Sequence, residues 1–578
     1  MRRTMAVLMT AGLLAVTMTA CSADETGSTD ASTATAAAPV PVDWPTFGFD
    51  QANARFNPDE RVVTADSAAT LAEAWTIQAG TGMSSTPAVV DGVAHFADWD
   101  GIIHAVDAES GAEIWTSEVN STVMSSVTIV DEAAYVADNG NVYRLDKATG
   151  EQQWAAVTSD HPLAITPSSP IVVGDHVLQA VASGELMADL EDYSFSGFLA
   201  SFDTETGEEQ WRVMFTPDDE TGGAGVGVWS TPSVDVDRGV AYIGTGNTYE
   251  PPASTLSDSI VAVDIATGAI LWSKQFTYPD VWSTGNLGGV DGDVGAGPNL
   301  WEADGRALVG AGDKRGMYHA LDRETGEVVW ETKLTEGSVL GGVIGTSAHG
   351  DGHLYVASNV GNAENNGPTG ASQIFSLDDT TGEIAWSVEI EGAVYVPVSA
   401  VPGVVFVGST SGIMYAFDAA TGGELWTHKA PDQVGGGATV VNGTVYWGYG
   451  FALLGSGSGT GSLMAFRPGS KATDGTTAAG TEGSDDQSLG AQTYRTSCAS
   501  CHGPQGQGGV GPNLTEVADR LTLDEHLAIV REGKGITMPA FENVLTPTRS
   551  MRWSSTNAPL STKMGDRTLS RPTTGSPQ

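Results

Sequence analysis

The chain has 578 residues, with 73 glycines and only 17% charged side chains, a balance that suits a β-rich, turn-rich protein with room for one large domain and a smaller one. Lys and Arg number 26 against 71 Asp and Glu, a formal charge of −45, which argues against nucleic acid or anionic lipid as a surface partner and reads as an acidic, solvated exterior. There are three cysteines, two of them in one short motif, so no disulfide framework is available.

The chain begins Met1-Arg2-Arg3, continues through an apolar stretch from Met5 to Ala20, and reaches Cys21. That pattern is an export signal, too short to span a membrane. Thr19 and Ala20 before Cys21 resemble a bacterial lipobox. Residues 1–20 are therefore expected to be a lipoprotein signal peptide, Cys21 the lipidation site, and the Ser/Thr/Ala-rich residues 21–42 a flexible tether. This places the protein outside the cytoplasm, anchored by lipid to a bacterial membrane. The competing reading is cleavage elsewhere, releasing a soluble protein.

Between residues 43 and 470 the chain repeats Asp-x-x-Thr/Ser-Gly-x-x-x-Trp seven times, ending at Trp115, Trp154, Trp211, Trp272, Trp330, Trp386 and Trp426. A period of roughly 40–60 residues built from short β runs and one turn predicts propeller blades. The Asp and Thr side chains bond local backbone, Gly takes a positive φ and Trp wedges between blades, so these residues read as structural. An eighth copy is split: LMAFRPG (Leu463–Gly469) has the incoming strand without the tryptophan, and AEAWTIQ has Trp75 without the strand. Pairing them closes the ring and removes exposed sheet edges, which predicts an all-β eight-bladed propeller.

Four segments lie between the repeats: VASGEL with Glu185, GVWSTPSVDVDRGVAYIGTGNTYEPP with Trp229 and Asn247, DGDVGAGPNL with Asp293, and GAGDKRGMYHALD with Lys314. Taken singly, Asn247 reads equally as a turn residue, Glu185 as a solvated acid, Trp229 as another wedge and Lys314 as a surface cation. Together, and in this order, the segments resemble the alcohol dehydrogenases that use pyrroloquinoline quinone (PQQ), most closely the branch that includes polyvinyl-alcohol dehydrogenase. The resemblance runs from about Trp44 to Gly469. It implies that Trp229 stacks on the quinone and that Lys314 contacts the quinone oxygens. It also implies that Glu185, Asn247 and Asp293 hold Ca²⁺, and that Asp293 is the catalytic base. Those residue types suit the chemistry: a hard cation takes oxygen ligands and polarises a carbonyl, while a carboxylate removes the alcohol proton. Asp291 and Asp280 remain alternative bases. With Asp291 as base, Asp293 would match the extra carboxylate of lanthanide-using relatives; with Asp293 as base, that position is Gly295 and Ca²⁺ is favoured. The vicinal cysteine pair of methanol-type enzymes is absent, which counts against simple methanol oxidation.

Residues 471–487 read as a flexible Gly/Thr/Asp/Ser-rich linker. Next, Cys498-Ala-Ser-Cys501-His502 is a C-x-x-C-H motif: two thiols for thioether links to haem and one axial His. GPNL and GKGITMPAF downstream resemble class I cytochromes c, which implies Met538 as the second axial ligand and a small all-α cytochrome c domain over residues 488–547. The resemblance stops after Leu545-Thr546-Pro547, where a terminal helix is expected. The tail, residues 548–578, is Ser/Thr/Pro-rich and basic instead. Codons can be chosen for it that, read one base earlier, give DEIDAVVEY, which has the acids and apolar spacing of the missing helix.

Taken together, the resemblances imply a lipid-anchored quinohaemoprotein dehydrogenase. It would oxidise a small or polymeric alcohol with PQQ and Ca²⁺, reduce its own haem c and pass electrons to a respiratory acceptor. The competing reading is a non-enzymatic propeller scaffold, of the outer-membrane-assembly kind, fused to an electron-transfer cytochrome. A one-base shift near Pro547 is expected in the gene, and resequencing that returns an intact base count rules it out.

Overall fold

The computed structural model describes residues 41–187, 190, 192–216, 224–283, 286, 291–362, 367–451, 460–469, 502, 514–515 and 517–532. Cys21, Cys498, Cys501 and Met538, the linker and the basic tail lie outside the described residues.

Eight antiparallel sheets form the propeller. Blade 1 consists of Ala88–Val90, Val93–Ala97, Ile102–Asp107 and Glu113–Glu118, from the axis outward, and blades 2 to 7 follow in chain order. Blade 3 adds the short strand Ala164–Ile165. Blade 8 takes Thr439–Val441, Thr444–Tyr449 and Ser462–Pro468 from the end of the propeller and Leu71–Gln78 from its beginning, with Ile77 opposite Leu463. The split repeat thus closes the ring as its sequence suggests.

The repeated turn works across blades as well as within one. In blade 2, Asp146 Oδ1 accepts from the Ala148 and Thr149 N–H groups and from the Thr149 hydroxyl. The following Gly150, at φ +72°, lies against the face of Trp115 from blade 1. The same seating places Gly268 on Trp211, Gly326 on Trp272 and Gly422 on Trp386. Trp115 Nε1 also donates to the Lys147 carbonyl of blade 2, 2.9 Å away. Each glycine therefore serves two ends, a left-handed backbone and clearance for the preceding blade's indole.

An N-terminal strap, Trp44–Asn57, bonds the second residue of the innermost strand in all eight blades. Trp44 exchanges both backbone bonds with Val89 at 2.8 Å, and the Pro45, Gln51, Ala52, Ala54 and Arg55 carbonyls accept from Ile129, Val234, Leu300, His349 and Ala400. The Gln51 and Asn57 side-chain amides donate to the Val172 and Val440 carbonyls. A second set of bonds joins neighbouring blades: Thr86 N to Ser126 Oγ, Ser126 N to Ser169 Oγ and Ser169 N to Thr231 Oγ1.

Because the strands alternate in direction, the Asp/Thr/Gly turns all lie at one end of the ring. The loops between second and third strands, and those leading into each innermost strand, lie at the other. Of the remainder, the helices Val517–Arg520 and Leu523–Glu532 are described, the second capped by Thr522 and Glu525 in a capping box. No helix among the described residues is long and apolar enough to cross a membrane.

Gly326 (φ +70°) and Gly352 (φ +81°) test the glycine–indole seat. A Cβ at Gly326 meets the Trp272 ring at 2.6 Å, while one at Gly352 meets nothing within 4 Å. Both alanine variants carry the left-handed strain, and Gly326→Ala is expected to cost about 1–3 kcal/mol more from overpacking. Urea unfolding midpoints read the difference; equal midpoints would mean the indole contact is irrelevant.

Candidate functional site

At the end of the ring opposite the repeated turns, a cavity of about 310 Å³ opens among the loops. Its size falls at the lower end of the range for ligand pockets. Ser84, Met124, Pro167, Gly295, Tyr395 and Gly435 each stand four residues before an innermost strand and line it. Residues Gly246, Asn247, Lys314 and Phe451, which follow second strands, line it as well.

Of the residues singled out in the sequence, Trp229, Asn247, Asp293 and Lys314 all line this cavity. Blades 3, 4 and 5 carry Glu185, Asn247 and Lys314 just beyond their second strands. Trp229 and Asp293 come from the loops entering blades 4 and 5. The spacing that hid their proximity in sequence, roughly one blade per residue, is what brings them together around the axis.

Asp293 is fixed from two sides. Its Oδ1 accepts from the Asn247 backbone N–H at 2.7 Å, and its Oδ2 lies 2.7 Å from Lys314 Nζ. The Lys314 backbone N–H donates to the Asp293 carbonyl at 3.0 Å. Lys314 Nζ also reaches both oxygens of Asp291, at 2.9 and 3.1 Å, and sits 5.7 Å from the centroid of the Trp229 ring. Asp293 faces the cavity, whereas Asp291 is not among its lining residues. A Cβ on Gly295 would overlap the Trp229 ring, so no side chain fits at that position. Both amide hydrogens of Asn247 are used, by the Thr248 carbonyl at 2.8 Å and the Trp282 carbonyl at 2.6 Å, which leaves its Oδ1 as the acceptor.

Glu185 stands apart from this group. It is buried, but its carboxylate accepts from Ser194 N–H, the Ser194 hydroxyl and Phe195 N–H, and lies 3.1 Å from His161 Nε2. Its neighbours Ser183, Gly184 and Leu186 line the cavity and Glu185 does not. Among the described residues no group of three or more His, Cys, Asp and Glu is placed to hold a metal. A cation here would rely on the amide oxygen of Asn247, on Asp293 and on donors from a bound cofactor.

The carboxyls are crowded. Asp258, Asp280, Asp291 and Asp293 are all buried, and Lys314 is the only basic side chain among the described residues lining the cavity. Burial, and then the charge of Asp293, push Asp280 up to about 6. Burial raises Asp291 well above the usual carboxylate range despite the adjacent ammonium, with Asp293 adding to the rise. Burial and then Asp280 raise Asp258, and the Ser257 side chain opposes the rise. Asp280 is in turn held down by the Gly292 and Trp282 backbone N–H groups, which its two oxygens accept at 2.6 and 3.0 Å. Lys314 is pulled down by burial but held above its ordinary value by Asp291 and Asp293, and so stays charged.

Sequence reasoning missed Asp258, Phe47, Tyr395 and Phe451. Asp258 sits in an ordinary Ser-Asp-Ser turn, and Phe47 belongs to the strap; neither carries a local signal. In the C-terminal region His502 is buried, and burial together with His502 lowers the nearby His526.

The sequence profile described as glucose/ethanol/alcohol dehydrogenase, beta-propeller domain, matches residues 155–339. That for the outer membrane protein assembly factor BamB matches 59–192 and 314–502, more than half of the chain. The profile for cytochrome c oxidase, cbb3-type, subunit III matches 485–550. The chain is 31% identical to a polyvinylalcohol dehydrogenase of Sphingopyxis sp. (strain 113P3) over 54% of its own length and 57% of the relative's. It is 25% identical to a quinohemoprotein alcohol dehydrogenase of Comamonas testosteroni, over 50% and 46%. The chain thus spans about half the length of the curated relatives it matches. The crystal structure of the Comamonas testosteroni enzyme superposes with a TM-score of 0.65 at 22% identity, covering 90% of this chain and 95% of that one, a likeness of fold. A europium-containing methanol dehydrogenase gives 0.61 at 17% identity, covering 74% and 98%.

Because Asp280 is raised, its contribution to stability is fully present below the ordinary value of 3.8 and is lost as pH rises through about 6. Cation-free protein is expected to lose about 3 kcal/mol through this group between those limits. A bound divalent cation removes the loss, as does Asp280→Asn. Melting temperatures at about pH 5 and about pH 7.5, in EDTA and in Ca²⁺, read the part of it that falls above pH 5, about 1.4 kcal/mol; a pH response the same in Asp280→Asn as in the native protein would contradict it.

Proposed function

We propose, from the premise that the chain belongs to the PQQ-repeat β-propeller family, that it is a dehydrogenase that uses PQQ and a divalent cation to oxidise an alcohol and passes the electrons to its own haem c. The observation that carries this reading is Asp293, held between the Asn247 N–H and the Lys314 ammonium on the wall of a cavity it shares with Trp229.

The residues fit the cofactor and the cation. Trp229 offers a flat ring, seated against Gly295 where no Cβ fits. Asn247 Oδ1 and Asp293 supply hard oxygen donors, and the excess of buried carboxyls over cations favours a divalent ion such as Ca²⁺. Glu185 would add a third oxygen donor if its carboxylate exchanged its bonds to Ser194 and Phe195 for the ion. PQQ, when bound, supplies a carbonyl carbon that accepts a hydride. Asp293 takes the hydroxyl proton of the alcohol, and Lys314 sets the orientation of that carboxylate and balances negative charge developing beside it. Asp291 holds the ammonium in place. The apolar lining from Met124, Ile165, Leu340, Ile344 and Phe451 excludes water and suits the carbon skeleton of a secondary or polymeric alcohol, in keeping with the name of the Sphingopyxis relative.

For electron transfer, Cys498 and Cys501 attach the haem and His502 and Met538 ligate its iron, a reading supported by the cytochrome match over 485–550. Residues 1–20 direct export, Cys21 carries the lipid, and a respiratory acceptor takes the electrons.

A scaffold reading has the BamB match behind it, but that match skips residues 193–313. Trp229, Asn247, Asp258, Asp280, Asp291 and Asp293 all fall in the skipped span, within the dehydrogenase match. A scaffold has no use for buried carboxyls gathered at this cost.

Full-length protein with haem incorporated is expected to reduce its haem on addition of Ca²⁺, PQQ and an alcohol. Asp293→Asn is expected to slow that reduction by about 10²–10⁴-fold. The ferrous band is the readout. If PQQ neither binds nor supports reduction while dithionite still reduces the haem, the scaffold reading replaces this one.

A further inference from the structure

The strap that ties the blades together also supplies a piece of the cavity. Phe47 lines it, and Phe47 is held by Arg55, whose guanidinium lies 4.6 Å from the ring centroid and donates through Nη1 to the Phe47 carbonyl. The same guanidinium donates from Nε to the Val398 carbonyl at 2.7 Å and from Nη2 to Ser399 Oγ at 2.8 Å. Ser399 Oγ passes a bond to the Ala438 carbonyl at 2.6 Å. A Cβ on Gly437 would overlap Arg55 Nη2 and approach Pro397 at 2.8 Å. One side chain therefore joins the strap to the two loops whose residues Tyr395, Val396, Pro397 and Gly435 line the cavity.

Arg55 is 0% exposed and takes φ +49°, a conformation rarely adopted by a non-glycine residue. All its partners are carbonyls, a hydroxyl and aromatic faces; among the described residues no carboxylate pairs with it. Burial lowers its pKa to about 9, so it remains charged at neutral pH. Elsewhere in the fold a buried cation is matched by acids, as Lys314 is by Asp291 and Asp293. An unpaired buried charge costs several kcal/mol, more than packing would need, and an apolar residue of similar volume would brace the strap without that cost. The charge therefore calls for an anion. The cavity is polarised, with the buried carboxyl of Asp293 at one wall, Asp291 behind it on Lys314, and Arg55 behind the Phe47 wall.

We propose that Arg55 is a positioning residue for the cofactor: it fixes Phe47 as a wall of the cavity, and its uncompensated charge attracts the carboxylate-bearing end of PQQ, so that the opposite end is directed to Asn247, Asp293 and Lys314. This rests on the functional reading above. No bond between the guanidinium and the ligand is required, since in a low-dielectric interior the charge acts through the intervening ring.

The test is PQQ binding to full-length protein in Ca²⁺, followed by quenching of tryptophan fluorescence, with PQQ trimethyl ester as the uncharged comparison. Arg55→Met, which keeps the volume, and Arg55→Gln are expected to weaken PQQ binding at least tenfold and to leave binding of the ester unchanged. Arg55→Lys, which keeps the charge, is expected to stay within about threefold of the native affinity, an electrostatic rescue that packing alone does not produce. Circular dichroism checks the fold of each. A neutral variant that folds and binds PQQ with native affinity overturns the inference, as does one that loses PQQ and the ester equally. If neither neutral variant folds, Arg55→Lys decides: native-like binding sustains the inference and a tenfold loss overturns it. Native protein that binds no PQQ overturns the functional reading together with this one, whereas native binding with an unaffected Arg55→Met overturns this one alone.

Discussion

The innermost strand of every blade has one paired edge and one edge turned to the axis, and on that second edge its backbone groups have no neighbouring strand. A ring of eight such edges around a narrow channel is expensive unless something satisfies them. Trp44–Asn57 does so by meeting the second residue of each innermost strand in turn, with backbone groups where the path allows and with Gln51 and Asn57 side chains where it does not. The left-handed conformations of Phe49, Asn53 and Arg55 are the strain accepted to bend the chain through that path. The shape of the cavity follows, because the strap closes the channel and contributes Phe47 to the cavity wall.

The two ends of the ring divide the labour. One end carries the seven turns, where Asp and Thr fold the backbone and each Gly admits an indole from the blade before. Those contacts repeat because they set blade spacing and twist, and blade spacing cannot vary if the ring is to close. The other end is free of that requirement. Its loops differ in length and composition from blade to blade, and the chemistry-bearing residues lie there, spread over blades 3, 4 and 5.

Electrostatics oppose stability at that second end. Four carboxyls are buried near one ammonium, and the raised values of Asp258, Asp280 and Asp291 express the same fact: without a cation the site holds on to protons. Such an arrangement weakens the empty fold and strengthens affinity for a divalent ion. Arg55 is the mirror case, a cation without an acid among the described residues, set behind the Phe47 wall.

How much was legible in the sequence depends on the range of the interaction involved. Asp-x-x-Thr-Gly turns and the alternation of the strands are local, so the repeat alone determined the blades, their number and the closure of Leu71–Gln78 onto Ser462–Pro468. The C-x-x-C-H motif is likewise local. Trp229, Asn247, Asp293 and Lys314 could be picked out from short segments, but that they share one cavity while the Glu185 carboxylate turns to Ser194 and Phe195 was decided by the tertiary structure. So were the choice between Asp291 and Asp293 as the group facing the cavity, the mutual influence of Asp258 and Asp280, and the place of Phe47 and Arg55. Most depend on contacts between residues tens to hundreds of positions apart, which a closed ring brings together around its axis and which no stretch of sequence encodes by itself.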